Sequence, residues 1–225
     1  AIFSFAKLNQ INLKITIALN KENSKNHFLE KYEALKKLID TGDLLEYRFI
    51  FCQGSPKIFL REFNLSKNSI AGIISIPDDL HYEWSEALLK AGIPLMVVKP
   101  LTLKLKESIK LWQLSEELSI PIFVEFHKRF DRQIKYVRDS FQNGLIGVPL
   151  YSYTEYTQRK EVPMENFKNW VERSNIFSYL GVHYVDVMRY VTGAIPKRVI
   201  ASGQKCFLIK DCLLYTSPSP RDRSS

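Results

Sequence analysis

In the first half of the chain, short unbroken apolar runs alternate with longer stretches whose apolar positions recur at helical spacing. The runs at 12–19, 46–52, 70–76, 94–98 and 121–126 predict strands. Between them, helical periodicity predicts helices over 24–40, 79–91 and 102–118. The first carries Phe28, Tyr32, Leu35 and Leu38 on one face and stops at Thr41-Gly42-Asp43. Gly54-Ser55-Pro56 breaks the second strand, and Gly92 closes the second helix. Strands alternating with helices imply βαβ units and a parallel sheet. Unbroken apolar strands fit a parallel sheet covered on both faces.

After Phe130 the pattern changes. A helix is predicted over 131–142, ending at Asn143-Gly144. A polar–aromatic strand follows over 149–158, with Tyr151, Tyr153 and Thr157 on one face. A helix over 176–191 ends at Thr192-Gly193, and 197–203 reads as another strand. These are the opening elements of an α+β domain. The segment from Leu213 to Arg223 has no periodicity and is rich in Ser and Pro. It resembles the translation of a sequencing adapter, so 213–225 is expected to be a non-native tail; a natural disordered tail is the alternative.

Composition narrows the classes. The chain has 225 residues, 45% hydrophobic and 25% charged, which is ordinary for a globular protein. The net charge of +8 is spread along the sequence among acidic residues. No basic run with interleaved aromatics and no zinc-finger spacing appears, so no nucleic-acid partner is expected. No apolar run reaches the roughly 18 residues of a membrane span, and no basic amphipathic stretch suggests a membrane surface. The start, Ala1 to Lys7, lacks the basic-then-apolar form of a signal peptide. Three cysteines, Cys52, Cys206 and Cys212, do not make a disulfide scaffold. Cys206 and Cys212 have no nearby histidine, so no metal site is expected. A reducing cytoplasm is the simplest compartment.

Candidate chemistry sits in the loops after the strands, where open parallel sheets bind ligands. Three stand out: Ser75-Ile76-Pro77-Asp78-Asp79-Leu80-His81, Val98-Lys99-Pro100 and Glu125-Phe126-His127-Lys128-Arg129. Pro100 keeps Lys99 out of the following helix. Lys99 is then a donor or proton shuttle, or else an ordinary surface lysine. In the 176–191 helix, Tyr179, His183 and Asp186 fall at i, i+4 and i+7, on one face. Gly181 removes a side chain and permits close approach of a ligand. A histidine there suits general acid–base work; a buried histidine bonded within an aromatic core is the other reading.

The order Pro77-x-x-x-His81, Lys99-Pro100, His127-x-Arg129, then Gly181-x-His183-x-x-Asp186 resembles one family. It is similar to the glucose–fructose oxidoreductase, inositol dehydrogenase and rhizopine-catabolism (Gfo/Idh/MocA) family of NAD(P)-dependent oxidoreductases, over roughly residues 12–205. The resemblance implies an α/β fold: a partial Rossmann-type parallel sheet followed by the start of an α+β substrate domain. The expected divisions are 1–130, an incomplete nucleotide-binding domain, and 131–212, a truncated substrate domain. Phe141 to Gly147 resembles the link between them.

The implied activity is hydride transfer between a sugar or cyclitol hydroxyl and nicotinamide. By the resemblance Lys99 matches the lysine of the family's Glu-Lys-Pro motif and His183 its catalytic histidine, with Tyr179 assisting. Asn20, Ser75, Ile76, Pro77, His81, Lys99 and Pro100 would lie along NAD or NADP. His127 and Asp186 would bind substrate, and the parent is expected to form a homo-oligomer.

Four departures matter. Val98 replaces the motif's glutamate. Tyr179, with an ordinary pKa near 10, stands where many members carry aspartate. Asn20 replaces the acid that binds the NAD ribose; with Lys21 and Lys25 it leans toward NADP. No Gly-x-Gly-x-x-Gly occurs anywhere. If 14–19 is the family's second strand, the first strand and phosphate loop lie before Ala1, and this fragment alone is expected to be inactive. A non-catalytic sensor of nucleotide or sugar on the same fold is the alternative.

Overall fold

The computed structural model describes residues 9, 13–21, 23–38, 45–63, 70–157, 159, 161–166 and 173–203. Cys206, Cys212 and the 213–225 tail lie outside these. The chain divides into two compact units, Ala1–Phe126 and His127–Ser225.

The first unit alternates strands and helices. Strand β1 (Leu13–Leu19) is followed by helix α1 (Asn23–Leu38), β2 (Leu45–Phe51) and α2 (Pro56–Glu62). Next come β3 (Gly72–Ile74), a 3-10 turn (Asp78–Leu80), α3 (His81–Lys90), β4 (Leu95–Val98), α4 (Leu105–Leu118) and β5 (Ile122–Glu125). Every expected strand and helix of this half is present. Helix α2 was not expected. Pro56 breaks β2 but sits in the first turn of α2, where its fixed φ suits a helix start and its missing N–H costs nothing.

The strands form two parallel sheets, a pair β1-β2 and a triplet β3-β4-β5. In the pair, Thr16 faces Arg48 in register, and Arg48 Nε donates to Thr16 Oγ1 at 3.0 Å. Phe28 of α1 packs edge-on against Phe49, ring centres 5.6 Å apart. In the triplet, Leu95 and Val97 are buried while Met96 and Val98 are half-buried. Leu95 and Val97 meet Leu88 and Leu89 of α3 and Leu111 of α4 in one apolar core, which also takes Phe59 and Trp84. Gly72 is required here: a Cβ on it would lie 2.7 Å from the buried Leu95 side chain.

The expectation of a triplet covered on both faces is corrected. Ile73, Met96 and Phe123 form one row across the three strands, and Ile73 and Phe123 are exposed. An apolar strand signals two buried faces only when helices lie on both; α3 and α4 supply one.

The second unit holds a 3-10 turn (His127–Phe130), α5 (Arg132–Gln142), two π turns (Val162–Asn166 and Phe177–Gly181) and α6 (Val182–Thr192). Helices α5 and α6 pack together. The strands expected over 149–158 and 197–203 are corrected: the described residues of both segments carry no strand, and Tyr151, Tyr153, Val199 and Ile200 are largely exposed. An alternating pattern becomes a strand only when a neighbour takes its backbone hydrogen bonds. Among the described residues, no helix is long and apolar enough to cross a membrane, and no group of three or more His, Cys, Asp or Glu is placed to hold a metal.

Candidate active site

In the first unit the candidate residues collect at the carboxyl ends of the strands. Lys99 directly follows β4 and is half-buried. Burial pushes its pKa below the ordinary lysine value, against the pull of Asp78 and Glu125. Asp78 begins the turn after β3 and is buried. Glu125 ends β5, in register with Val98. The lysine is therefore flanked by an acid from the loop on one side and from the strand on the other. Such an ammonium, costly to charge yet held by carboxylates, is suited to give up and regain a proton. Neither acid was singled out from sequence as a partner of Lys99, because partners across a sheet are fixed by register. The absent glutamate at 98 has a counterpart one strand away, at 125.

His81 is corrected. Expected along a cofactor, it is 1% exposed. Its Nδ1 lies 2.7 Å from the Pro100 carbonyl oxygen and its Nε2 2.9 Å from that of Ile76. A neutral imidazole donates one of these bonds and a protonated ring both. His81 therefore straps the loop after β3 to the Lys99–Pro100 peptide, which is cis. It leaves no surface for a ligand. Ser75 and Pro77 are exposed and Ile76 half-buried on that loop. Asn20 is exposed at the end of β1, and its side chain borders Gly54 after β2. Lys25, counted with Asn20 in the lean toward NADP, stacks its ammonium 5.5 Å from the Phe49 ring centre.

In the second unit, His127, Tyr179, His183 and Asp186 gather about the start of α6. His183 is buried, and its ring meets that of His127 edge-on with centres 4.5 Å apart. Asp186, expected to bind substrate, is held in a clamp by Arg129. Arg129 Nε donates to its Oδ2 at 2.8 Å and Arg129 Nη2 to its Oδ1 at 2.5 Å. Both oxygens are thus taken by one guanidinium, the bidentate arrangement that fixes geometry best. The pairing raises the Arg129 pKa still further. The His127-x-Arg129 motif carried that signal, but nothing in it pointed to Asp186.

The environments of Tyr179 and Gly181 add detail. Burial and then nearby Tyr156 raise the Tyr179 pKa above the ordinary tyrosine value. At Gly181, a Cβ would lie 2.5 Å from the Phe177 ring. The glycine makes room for Phe177 within the π turn, so the close approach is made by the protein itself.

Residues 57–126 match the oxidoreductase family with an NAD-binding Rossmann fold, GFO_IDH_MocA. This segment is similar to the Gfo/Idh/MocA family. The chain is 28% identical over 137 residues to the myo-inositol 2-dehydrogenase of Thermotoga maritima, covering 60% of this chain and 40% of that protein. It is 31% identical over 134 residues to the NAD+-dependent scyllo-inositol 2-dehydrogenase of Bacillus subtilis, covering 60% and 38%. The chain thus spans about two fifths of the length of these relatives. Its fold is similar to that of the myo-inositol 2-dehydrogenase of Lactobacillus plantarum, with a TM-score of 0.58 at 19% identity, over 85% of this chain and 52% of that one.

Proposed function

We propose that the protein to which this chain belongs is an NAD(P)-dependent oxidoreductase acting on a hydroxyl of a sugar or cyclitol. The observation that carries the reading is Lys99: a half-buried lysine at the end of a central parallel strand, its pKa depressed by burial and flanked by Asp78 and Glu125. The names of the inositol dehydrogenases to which the chain is similar support the substrate class.

The cofactor test divides in two. Exposed Ser75 and Pro77 with Lys99 offer an edge for a nicotinamide and its ribose. The sequence holds no glycine-rich loop for a pyrophosphate. In the doubly wound order 3-2-1-4-5-6, taking out the first strand leaves a pair and a triplet. The pair β1-β2 and triplet β3-β4-β5 match that remainder, and we assign the phosphate-binding loop to the strand that would join them. When bound, the nicotinamide supplies the hydride acceptor or donor.

The residues of this chain handle the proton. Lys99 binds the reacting hydroxyl and withdraws or returns its proton. His183, oriented by its edge contact with His127 and by the Arg129 clamp on α6, is the second proton-handling group. Tyr179 hydrogen-bonds the substrate in its neutral form. Asn20 in place of an acid, with Lys21 beside it, leans the cofactor toward NADP. Residues 1–130 would act as the nucleotide-binding part and 131–212 as part of the substrate domain.

One feature favours a non-catalytic sensor instead: Tyr179, where many members carry aspartate, has its pKa raised rather than lowered. The deciding experiment takes the longest open reading frame that contains this chain. It is assayed with a panel of inositols and sugars and with NAD+ and NADP+. Turnover supports the oxidoreductase; saturable binding of cofactor or sugar without turnover supports the sensor.

A further inference from the structure

The second unit contains a cavity of about 470 Å³ between α5 and α6, within the ~300–1,000 Å³ range of small-molecule pockets. Its charges are lopsided. Arg129, Arg138 and Arg189 line it against a single carboxylate, Asp186, and that carboxylate is committed to Arg129. Two positive charges are left over.

Arg138 is the more telling of the two. It is half-buried, with its guanidinium carbon 4.3 Å from the centre of the Tyr190 ring. Arg129 lies 5.3 Å from the same centre. One phenol ring thus meets two guanidinium groups, of which Asp186 neutralises only that of Arg129. Nη1 of Arg138 donates to the Tyr190 hydroxyl at 3.1 Å, while its buried Nε has no hydrogen-bond partner. Among the described residues no carboxylate pairs with Arg138 or with the exposed Arg189. A half-buried cation without a counter-charge is costly. Arg189, in the last turn of α6, also offsets the negative carbonyl end of that helix, which would otherwise repel an anion.

We propose that this cavity binds a small phosphate monoester, its dianion matching the two uncompensated guanidinium groups. The planar fork of arginine suits phosphate oxygens, and the Gln142 side chain on the cavity wall can take a hydroxyl of the esterified part.

The test is a titration of the whole 225-residue chain with inorganic phosphate, followed by NMR at the arginine side-chain N–H signals. The expected result is saturable shifts of Arg138 and Arg189 at millimolar phosphate, with acetate binding more weakly. Arg138→Gln and Arg189→Gln should each weaken binding about tenfold, the loss of one charge-assisted bond. Arg189 is exposed, so its variant does not threaten the fold. Arg61→Gln, an exposed arginine in the first unit, should change nothing. Shifts that rise without saturation, equal binding of acetate, or equal weakening by Arg61→Gln would overturn the proposal.

Discussion

Replacing His81 by phenylalanine keeps a ring in a site that is 1% exposed but removes both ring nitrogens. The carbonyls of Pro100 and Ile76, now 2.7 and 2.9 Å from those nitrogens, lose their partner. A buried carbonyl left unsatisfied costs about 1–3 kcal/mol; a neutral ring donates to one of the two carbonyls and a protonated ring to both, so the loss is about 1–3 or about 2–6 kcal/mol before relaxation. Water reaching Ile76 would recover part of this and place the loss near the lower end. The assay is urea unfolding of the chain, followed by circular dichroism and by fluorescence of the buried Trp84. An unchanged slope with a lower midpoint would mark a change in stability alone. His81→Asn, which can reach at most one carbonyl, should fall between wild type and His81→Phe. A loss under about 0.5 kcal/mol for His81→Phe, the scale of an ordinary surface change, would refute the strap.

Three other outcomes are expected. Lys99 has a folded pKa below its unfolded value, so between the two the unfolded chain binds more protons and stability rises with pH; relative to Lys99→Met, the wild type should gain stability as pH climbs from neutral toward the ordinary lysine value, and a pH-independent difference in urea midpoints would contradict this. Gly72→Ala should cost about 1–3 kcal/mol by overpacking against Leu95, read as a lower melting temperature. Arg129→Met should cost about 1–3 kcal/mol, because it leaves the buried Asp186 carboxylate without its fork; double substitution with Asp186→Asn should cost less than the two single losses added together, and strict additivity would dismiss the clamp.

Much of the first unit was legible because each strand is a short apolar run and each helix a periodic one. What periodicity could not give was pairing. The division into a pair and a triplet of strands, and the open row Ile73–Met96–Phe123, depend on which strands are neighbours. Pro56 was read as a break although the same ring also starts a helix. Around Lys99 the sequence located the lysine but not Asp78 and Glu125 as its flanking acids. His81 and Asp186 were placed in the right loop and helix and then assigned to ligands; their side chains turn inward, to two carbonyls and to Arg129. Tyr151 and Tyr153 alternate as a strand would, yet a strand needs a partner that alternation cannot supply.

The central claim is that Lys99 handles the proton of the reacting hydroxyl. Its most direct test is steady-state kinetics of Lys99→Met in the longest open reading frame containing this chain, on the polyol that wild type oxidises best. The account predicts a fall in kcat of about 10²–10⁴-fold, the usual worth of a positioned proton-transfer group, with cofactor affinity little changed. A variant that turns over at near the wild-type rate would contradict it.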